Sequence, residues 1–364
     1  MNLRIKILFL FVLFTSLASS SEKETNENFF KVTILWQEVE REYMIFLPSS
    51  YPENKELPMV VGLHGYTGTA TGFEKETTKG MNLHAEYRNY IAVYPQGANF
   101  WAKQNGSSFF VSSWNDLESN APLRKSERPI CLKDRDEYPR PKECKEYSHC
   151  AWTGCYDDIG FIRQVIEEVT ENYAVDKSRR YISGMSNGGA MAHRFACHHS
   201  ELLAATASIS GSIPRDRSCV PEIPISYLQV FGDEDTTTPI DGKVSRDGWF
   251  YEKPEVSLNK WAESMGCSEE VVLSNLITAQ KNNLSCTSRR SCSTGESHEV
   301  VNCLVPGGGH AWPGQKPGVG FCRSEEQSLS SPQQNECKDN YGSEINWGNE
   351  VIWEFFNNHR RENV

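Results

Sequence analysis

The run Tyr181-Ile-Ser-Gly-Met-Ser186-Asn-Gly-Gly-Ala-Met-Ala192 divides into three pieces. Tyr181 to Ser183 ends a short apolar strand. Gly184 to Gly188 is a G-x-S-x-G pentapeptide, and Ala190, Met191, Ala192 and Phe195 begin a helix-forming run. Strand, tight turn and helix in that order make a nucleophile elbow. The two glycines let strand and helix pack closely around a strained Ser186, whose hydroxyl is pushed out at the top of a sheet. The amide of Asn187 then lies at a helix N-terminus, aimed at the oxygen that turns negative during acyl transfer. The alternative is a plain glycine-rich turn, since a bare G-x-S-x-G recurs by chance.

The flanking sequence supplies the sheet. Met59-Val-Val-Gly-Leu63, Tyr90-Ile-Ala-Val-Tyr94, Ile225 to Phe231 and Val300 to Val305 are short apolar runs of the kind that form buried parallel strands. Between Asp157 and Tyr173, Ile159, Ile162, Val165, Ile166 and Val169 recur at helical spacing, with Asp157 or Asp158 as the cap. Asn346 to Arg360 carries Trp347, Val351, Ile352, Trp353 and Phe356 and predicts a closing amphipathic helix. Strands alternating with helices mean an α/β fold, a mostly parallel sheet covered on both faces. Phe30 to Gln37 and Arg41 to Leu47 alternate apolar and polar residues and predict an antiparallel hairpin at the sheet edge. Two segments break the rhythm, near 98–154 and 320–342. Both carry cysteines and read as disulfide-stapled insertions in a single domain over 29–364.

The chain has 364 residues and a formal net charge of −11. Arg4 and Lys6, then the apolar run Ile7 to Leu17, then Ala18-Ser19-Ser20, predict a secretory signal over 1–20. The run is short for a membrane span, which needs about 20 apolar residues. The acidic balance argues against nucleic acid and anionic membranes as partners. Twelve cysteines behind a signal read as disulfides. Zinc at Cys144, Cys150, Cys155 and His149 is the weaker alternative, and no metal is expected. Asn105-Gly-Ser107 and Asn283-Leu-Ser285 are candidate glycosylation sites of a secreted, extracellular protein.

A serine hydroxyl needs a histidine base, and the base needs a carboxylate to fix its tautomer. Gly307-Gly-Gly-His310 follows the last apolar run and makes His310 the candidate base. Asp233, Glu234 and Asp235 share the loop after Phe231. Asp235 is favoured as the acid and Asp233 stands next, with a solvated acidic turn as the alternative. His64-Gly65 after the first buried run suits the second half of an oxyanion hole, with the Tyr66 amide as donor beside that of Asn187. His64 is expected to orient that loop and not to act as base.

Together, Leu63-His-Gly-Tyr-Thr-Gly68, Tyr94-Pro-Gln-Gly97, Ser113-Trp-Asn115, Asp157-Asp-Ile-Gly-Phe161, the Ser186 elbow, Gly232-Asp-Glu-Asp235 and Gly309-His-Ala-Trp-Pro-Gly314 resemble the secreted feruloyl esterase and polyhydroxybutyrate depolymerase family, to which acetylxylan esterases are related. The resemblance implies an α/β-hydrolase fold and cleavage of carboxylic esters through an acyl-enzyme. It implies Ser186, Asp235 and His310 as the triad and no cofactor. Asn187 is closer to the feruloyl esterase branch. Trp312 and Trp114 are candidates to line a substrate pocket, with core packing the alternative for both. The expected function is a monomeric esterase of plant cell-wall polysaccharides. The alternatives are a polyester depolymerase and an inactive binding protein on a hydrolase fold.

Overall fold

Phe30, Val32, Ile34 and Trp36 alternate along the first strand, and all four pack on the core. That period of two draws the edge hairpin β1 (Phe29–Trp36) and β2 (Val39–Phe46), paired antiparallel in register Phe29 to Phe46. The computed structural model describes residues 28–51, 55–77, 80–104, 107–122, 127–144, 149–211, 213–295, 297–315 and 346–361. The expected signal over 1–20, the sequon asparagine at 105 and the expected insertion near 320–342 lie outside them.

The remaining strands are β3 (Leu57–Leu63), β4 (Ile91–Pro95), β5 (Ala98–Gln104), β6 (Ser107–Ser113), β7 (Val175–Met185), β8 (Ala205–Ile209), β9 (Ser226–Gly232), β10 (Val272–Leu273), β11 (Ser285–Arg289) and β12 (Val300–Val305). The helices are α1 (Ala70–Glu76), α2 (Gly80–Arg88), α3 (Asp158–Asn172), α4 (Asn187–His198), α5 (Pro254–Ser264), α6 (Ile277–Lys281) and α7 (Trp347–Asn357). Ten strands form one sheet in the order β1-β2-β4-β3-β7-β8-β9-β12-β11-β10. The six from β4 to β12 run parallel, and antiparallel strands close both edges. Two apolar cores lie on the two faces: α3 and α5 pack over one, α7 and α6 over the other. This is the α/β-hydrolase architecture. Among the described residues no helix is long and apolar enough to cross a membrane.

The structure adds strands that the apolar runs do not announce. β8 is Ala-Thr-Ala-Ser-Ile, buried throughout, between β7 and β9. Its side chains are small because α4 lies close above it: a Cβ on Gly189 would stand 2.8 Å from the Ile209 carbonyl oxygen. Small residues lack the branched signature of a strand. The segment from 98 to 154 is half regular. Its first part is the hairpin β5–β6, hidden in sequence by the adjacent aromatics Phe100-Trp101 and Phe109-Phe110. Its second part is stapled by Cys131–Cys150 and Cys144–Cys155. Further disulfides join Cys197 to Cys219, Cys267 to Cys292 and Cys286 to Cys303. The thiolates that zinc would need at Cys144, Cys150 and Cys155 are thus held in disulfides.

Candidate active site

Parallel strands deliver their C-terminal loops to one edge of a sheet. β7 leads into Ser186, β9 into Asp235, β12 into His310, and β3 into Tyr66. Four segments distant in sequence therefore meet at one end of adjacent or nearly adjacent strands.

Ser186 has φ 57° and ψ −119°, a strained backbone for any residue with a side chain. The turn is held by the Ser186 amide donating to the Ile209 carbonyl at 2.8 Å. It is possible only because Gly188 has no Cβ, which would stand 2.2 Å from the Leu63 carbonyl oxygen. α4 starts at the next residue, so its N-terminal end lies directly behind the serine.

Asp235 is 4 % exposed and collects four donors. Its Oδ1 accepts from the amides of Thr237 at 2.8 Å and Thr238 at 2.9 Å. Its Oδ2 accepts from the Thr238 hydroxyl at 2.6 Å and meets Nδ1 of His310 at 2.7 Å. Burial alone would raise its pKa. The bonds from His310 and Thr238 outweigh burial and hold the carboxyl down at about 2. Asp233, the other candidate acid, is exposed and accepts from the Gly307 amide at 2.7 Å. It fastens the loop that carries His310 and does not touch the ring.

His64 is fully buried. Its Nδ1 lies 2.8 Å from the Gly65 carbonyl oxygen, and its Nε2 accepts from the Gly97 amide at 2.9 Å. An acceptor at Nε2 and a carbonyl at Nδ1 define one neutral tautomer. Burial lowers its pKa to about 4 and outweighs the Gly65 bond. His64 is thus a fixed strut beneath the Gly65-Tyr66 turn.

Ser186 and His310 open into a cleft of about 160 Å³. Its wall is aromatic: Tyr66, Tyr138, Trp152 and Trp249. Tyr66 meets Tyr138 edge-on at 5.1 Å and Trp152 at 5.7 Å, and Tyr138 meets Trp249 at 5.1 Å. Tyr138 and Trp152 come from the stapled segment. The Trp249 indole donates to the Cys150 carbonyl at 2.9 Å, next to a staple. Sequence reasoning missed these three. The available signal was an aromatic cluster inside a disulfide-closed loop.

Trp114 and Trp312, expected at the pocket wall, are core residues, and that expectation is corrected here. Trp312 is 1 % exposed, packs edge-on against Phe73 and donates its indole N–H to Asn349 at 2.8 Å. Trp114 is fully buried and donates to the His64 carbonyl at 2.8 Å. Each indole has a satisfied polar atom and is buried, and neither lines the cleft beside Ser186.

No protein-family model matches the chain. NocK of Nocardia uniformis subsp. tsuyamanensis, described as an esterase, is 34 % identical over 274 residues, covering 72 % of this chain and 67 % of NocK. A feruloyl esterase C of Aspergillus niger is 24 % identical over 248 residues, covering 64 % of this chain and 73 % of that protein. Among solved structures, an acetyl xylan esterase from Aspergillus awamori aligns with a TM-score of 0.47 at 16 % identity, over 78 % of this chain and 94 % of the other.

Proposed function

This chain belongs to the α/β-hydrolase family of feruloyl esterases and related ester hydrolases, and from that premise we propose that Ser186, His310 and Asp235 are its catalytic triad and that its substrates are aromatic-acyl esters of plant cell-wall polysaccharides. One observation carries the triad: His310 Nδ1 stands 2.7 Å from a deeply buried Asp235 while both His310 and Ser186 face one cleft. A carboxylate at Nδ1 fixes the tautomer that places the proton-accepting lone pair on Nε2. His310 takes the Oγ proton as Ser186 attacks the ester carbonyl. The backbone amides of Tyr66 and Asn187 donate to the oxyanion. His310 then protonates the leaving alcohol, and water hydrolyses the acyl-serine by the same steps. Neither step needs a metal or an organic cofactor.

The aromatic wall favours a planar, unsaturated acyl group, because ring faces and edges gain from stacking beyond their area. Five disulfides among the described residues fit an oxidising, extracellular place of work. One catalytic domain over 29–364, acting as a monomer without nucleic acid or membrane partners, completes the reading. The test is a panel of methyl ferulate, p-nitrophenyl acetate and hydroxybutyrate oligomers. Ferulate release with the highest kcat/KM is expected. Preferential cleavage of the oligomers would move the protein to the polyester depolymerases. Activity that survives Ser186→Ala would remove the serine mechanism altogether.

A further inference from the structure

A buried polar chain runs beneath the cleft, and the mechanism above does not use it. Its centre is Asp158, the first residue of α3, whose side chain is fully buried. Oδ1 accepts from Nη2 of Arg41 on β2 at 2.7 Å, and the Arg41 side chain is only 6 % exposed. Oδ2 accepts from the Asn115 amide at 2.8 Å. The Arg41 guanidinium lies over the Phe161 ring, 3.9 Å from its centroid, so packing as well as charge fixes it.

From Asp158 the chain forks. Through Arg41 it reaches the Gln96 carbonyl at 3.2 Å. The Gln96 side chain lies 3.2 Å from Nε2 of His64, and His64 abuts the Gly65 carbonyl. Through Asn115 it reaches Trp114. The backbone of Trp114 is clamped by the Asn187 side chain, with Trp114 N–H to Oδ1 at 2.6 Å and Nδ2 to the Trp114 carbonyl at 3.0 Å. The Trp114 indole closes the fork by donating to the His64 carbonyl. Both branches end on the two residues proposed as oxyanion donors, Tyr66 through His64-Gly65 and Asn187 directly.

We propose that Asp158, with Arg41, is a positioning residue for the oxyanion hole: one buried carboxylate sets the angle of both donor amides, and neither side chain touches substrate. The proposal rests on the serine-esterase reading. The geometry argues for this role over a plain structural pair. A pair that only stabilised the sheet would need one bond each way. Here each partner spends further bonds on loop backbone, and those loops brace His64 and Asn187. Oxyanion donors matter only when they meet the position the charged oxygen will occupy, so a small rotation of either loop weakens the transition state and leaves the bound ester nearly as before.

Asp158→Asn keeps the shape and removes one acceptor, since its amide nitrogen donates and so meets either Arg41 or the Asn115 amide donor to donor. With p-nitrophenyl acetate, kcat should fall about 100-fold and KM should stay within about threefold, the signature of a lost transition-state contact. Affinity for an aryl boronic acid, which forms a tetrahedral adduct on the serine, should weaken in parallel, while inhibition by the free carboxylic acid should not. Arg41→Lys keeps the charge and shortens the reach, so a milder fall in kcat of about tenfold is expected. It also serves if Asp158→Asn fails to fold. A folded Asp158→Asn or Arg41→Lys with wild-type kcat would overturn the proposal. So would a loss shared equally by the boronate and the free acid, which would mark general damage to the pocket. Fluorophosphonate labelling of the wild type separates the levels: an unlabelled Ser186 sinks the esterase reading, and the proposal with it, whereas normal labelling with an unaffected variant sinks only the proposal.

Discussion

Replacing Asp235 by asparagine tests the acid at the point where charge, tautomer and stability meet. The side chain keeps its size, and its remaining oxygen can still accept from the Thr237 and Thr238 amides. What changes is the atom 2.7 Å from His310 Nδ1. An amide nitrogen there donates, so Nδ1 must accept and the proton moves to Nε2. A protonated Nε2 cannot take the proton of Ser186. In serine proteases this exchange costs about 10⁴ in kcat, and at 1.36 kcal/mol per tenfold that is about 5.4 kcal/mol of barrier. Stability should change as well. The Asp235 carboxyl titrates at about 2 in place of its ordinary 3.8, so its ionised form stabilises the fold by about 2 kcal/mol near neutral pH. The folded pKa lies below the unfolded one. The contribution is therefore complete above about pH 4 and disappears as pH falls through about 2. Two measurements check this: steady-state hydrolysis of p-nitrophenyl acetate at pH 7.5, and urea melts of wild type and Asp235→Asn at pH 7 and at successively lower pH. The variant should lose about four decades of kcat with KM little altered, and its stability deficit should shrink as the pH is lowered. Retention of more than a tenth of wild-type kcat would refute the tautomer argument. So would an equal loss from Asp233→Asn, since the Asp233 side chain holds the Gly307 amide and not the His310 ring.

Other perturbations address the pocket and its support. Trp152→Ala should lower kcat/KM on methyl ferulate about tenfold or more and fall harder there than on p-nitrophenyl acetate, because an acetyl group has no ring to stack on the aromatic wall; parallel losses on the two esters would count against an aromatic acyl site. Removing the Cys131–Cys150 bridge by paired serine substitution opens a loop closed across 19 residues and should cost about 3 kcal/mol in a urea melt. It should also raise KM for aromatic esters, and an unchanged KM would separate the staple from the pocket. His64 should make the fold acid-sensitive. Its pKa is lowered to about 4 from 6.5 by burial, so the unfolded chain takes up a proton first and stability falls by about 3 kcal/mol between pH 6.5 and 4. His64→Asn should flatten that part of a Tm-against-pH curve, and an unaltered slope would assign it elsewhere.

The elbow was legible because its chemistry is local. Gly184, Ser186 and Gly188 are demanded by one tight turn, and the strand before and helix after them are written in adjacent residues. The four apolar runs and the helix from Asp157 were legible for the same reason, since periodicity is a property of neighbours. The choice between Asp233 and Asp235 was not local. Both lie in one turn-rich loop, and only the fold of the His310 loop over it decides that Oδ2 of Asp235 meets the ring while Asp233 ties down Gly307. Trp114 and Trp312 misled because a motif gives sequence position and not direction; the strands and helices around them turned both indoles into the core. The cleft wall lay still further from sequence reach. Tyr138 and Trp152 stand beside Trp249 because disulfides fold a segment without periodicity back over the sheet edge. The sequence by itself determined the α/β layering and the tight turn at Ser186, because apolar spacing and backbone sterics act between near neighbours. Only the tertiary structure decided which carboxylate reaches His310 and which rings line the cleft, because those contacts join residues that the chain keeps tens of positions apart.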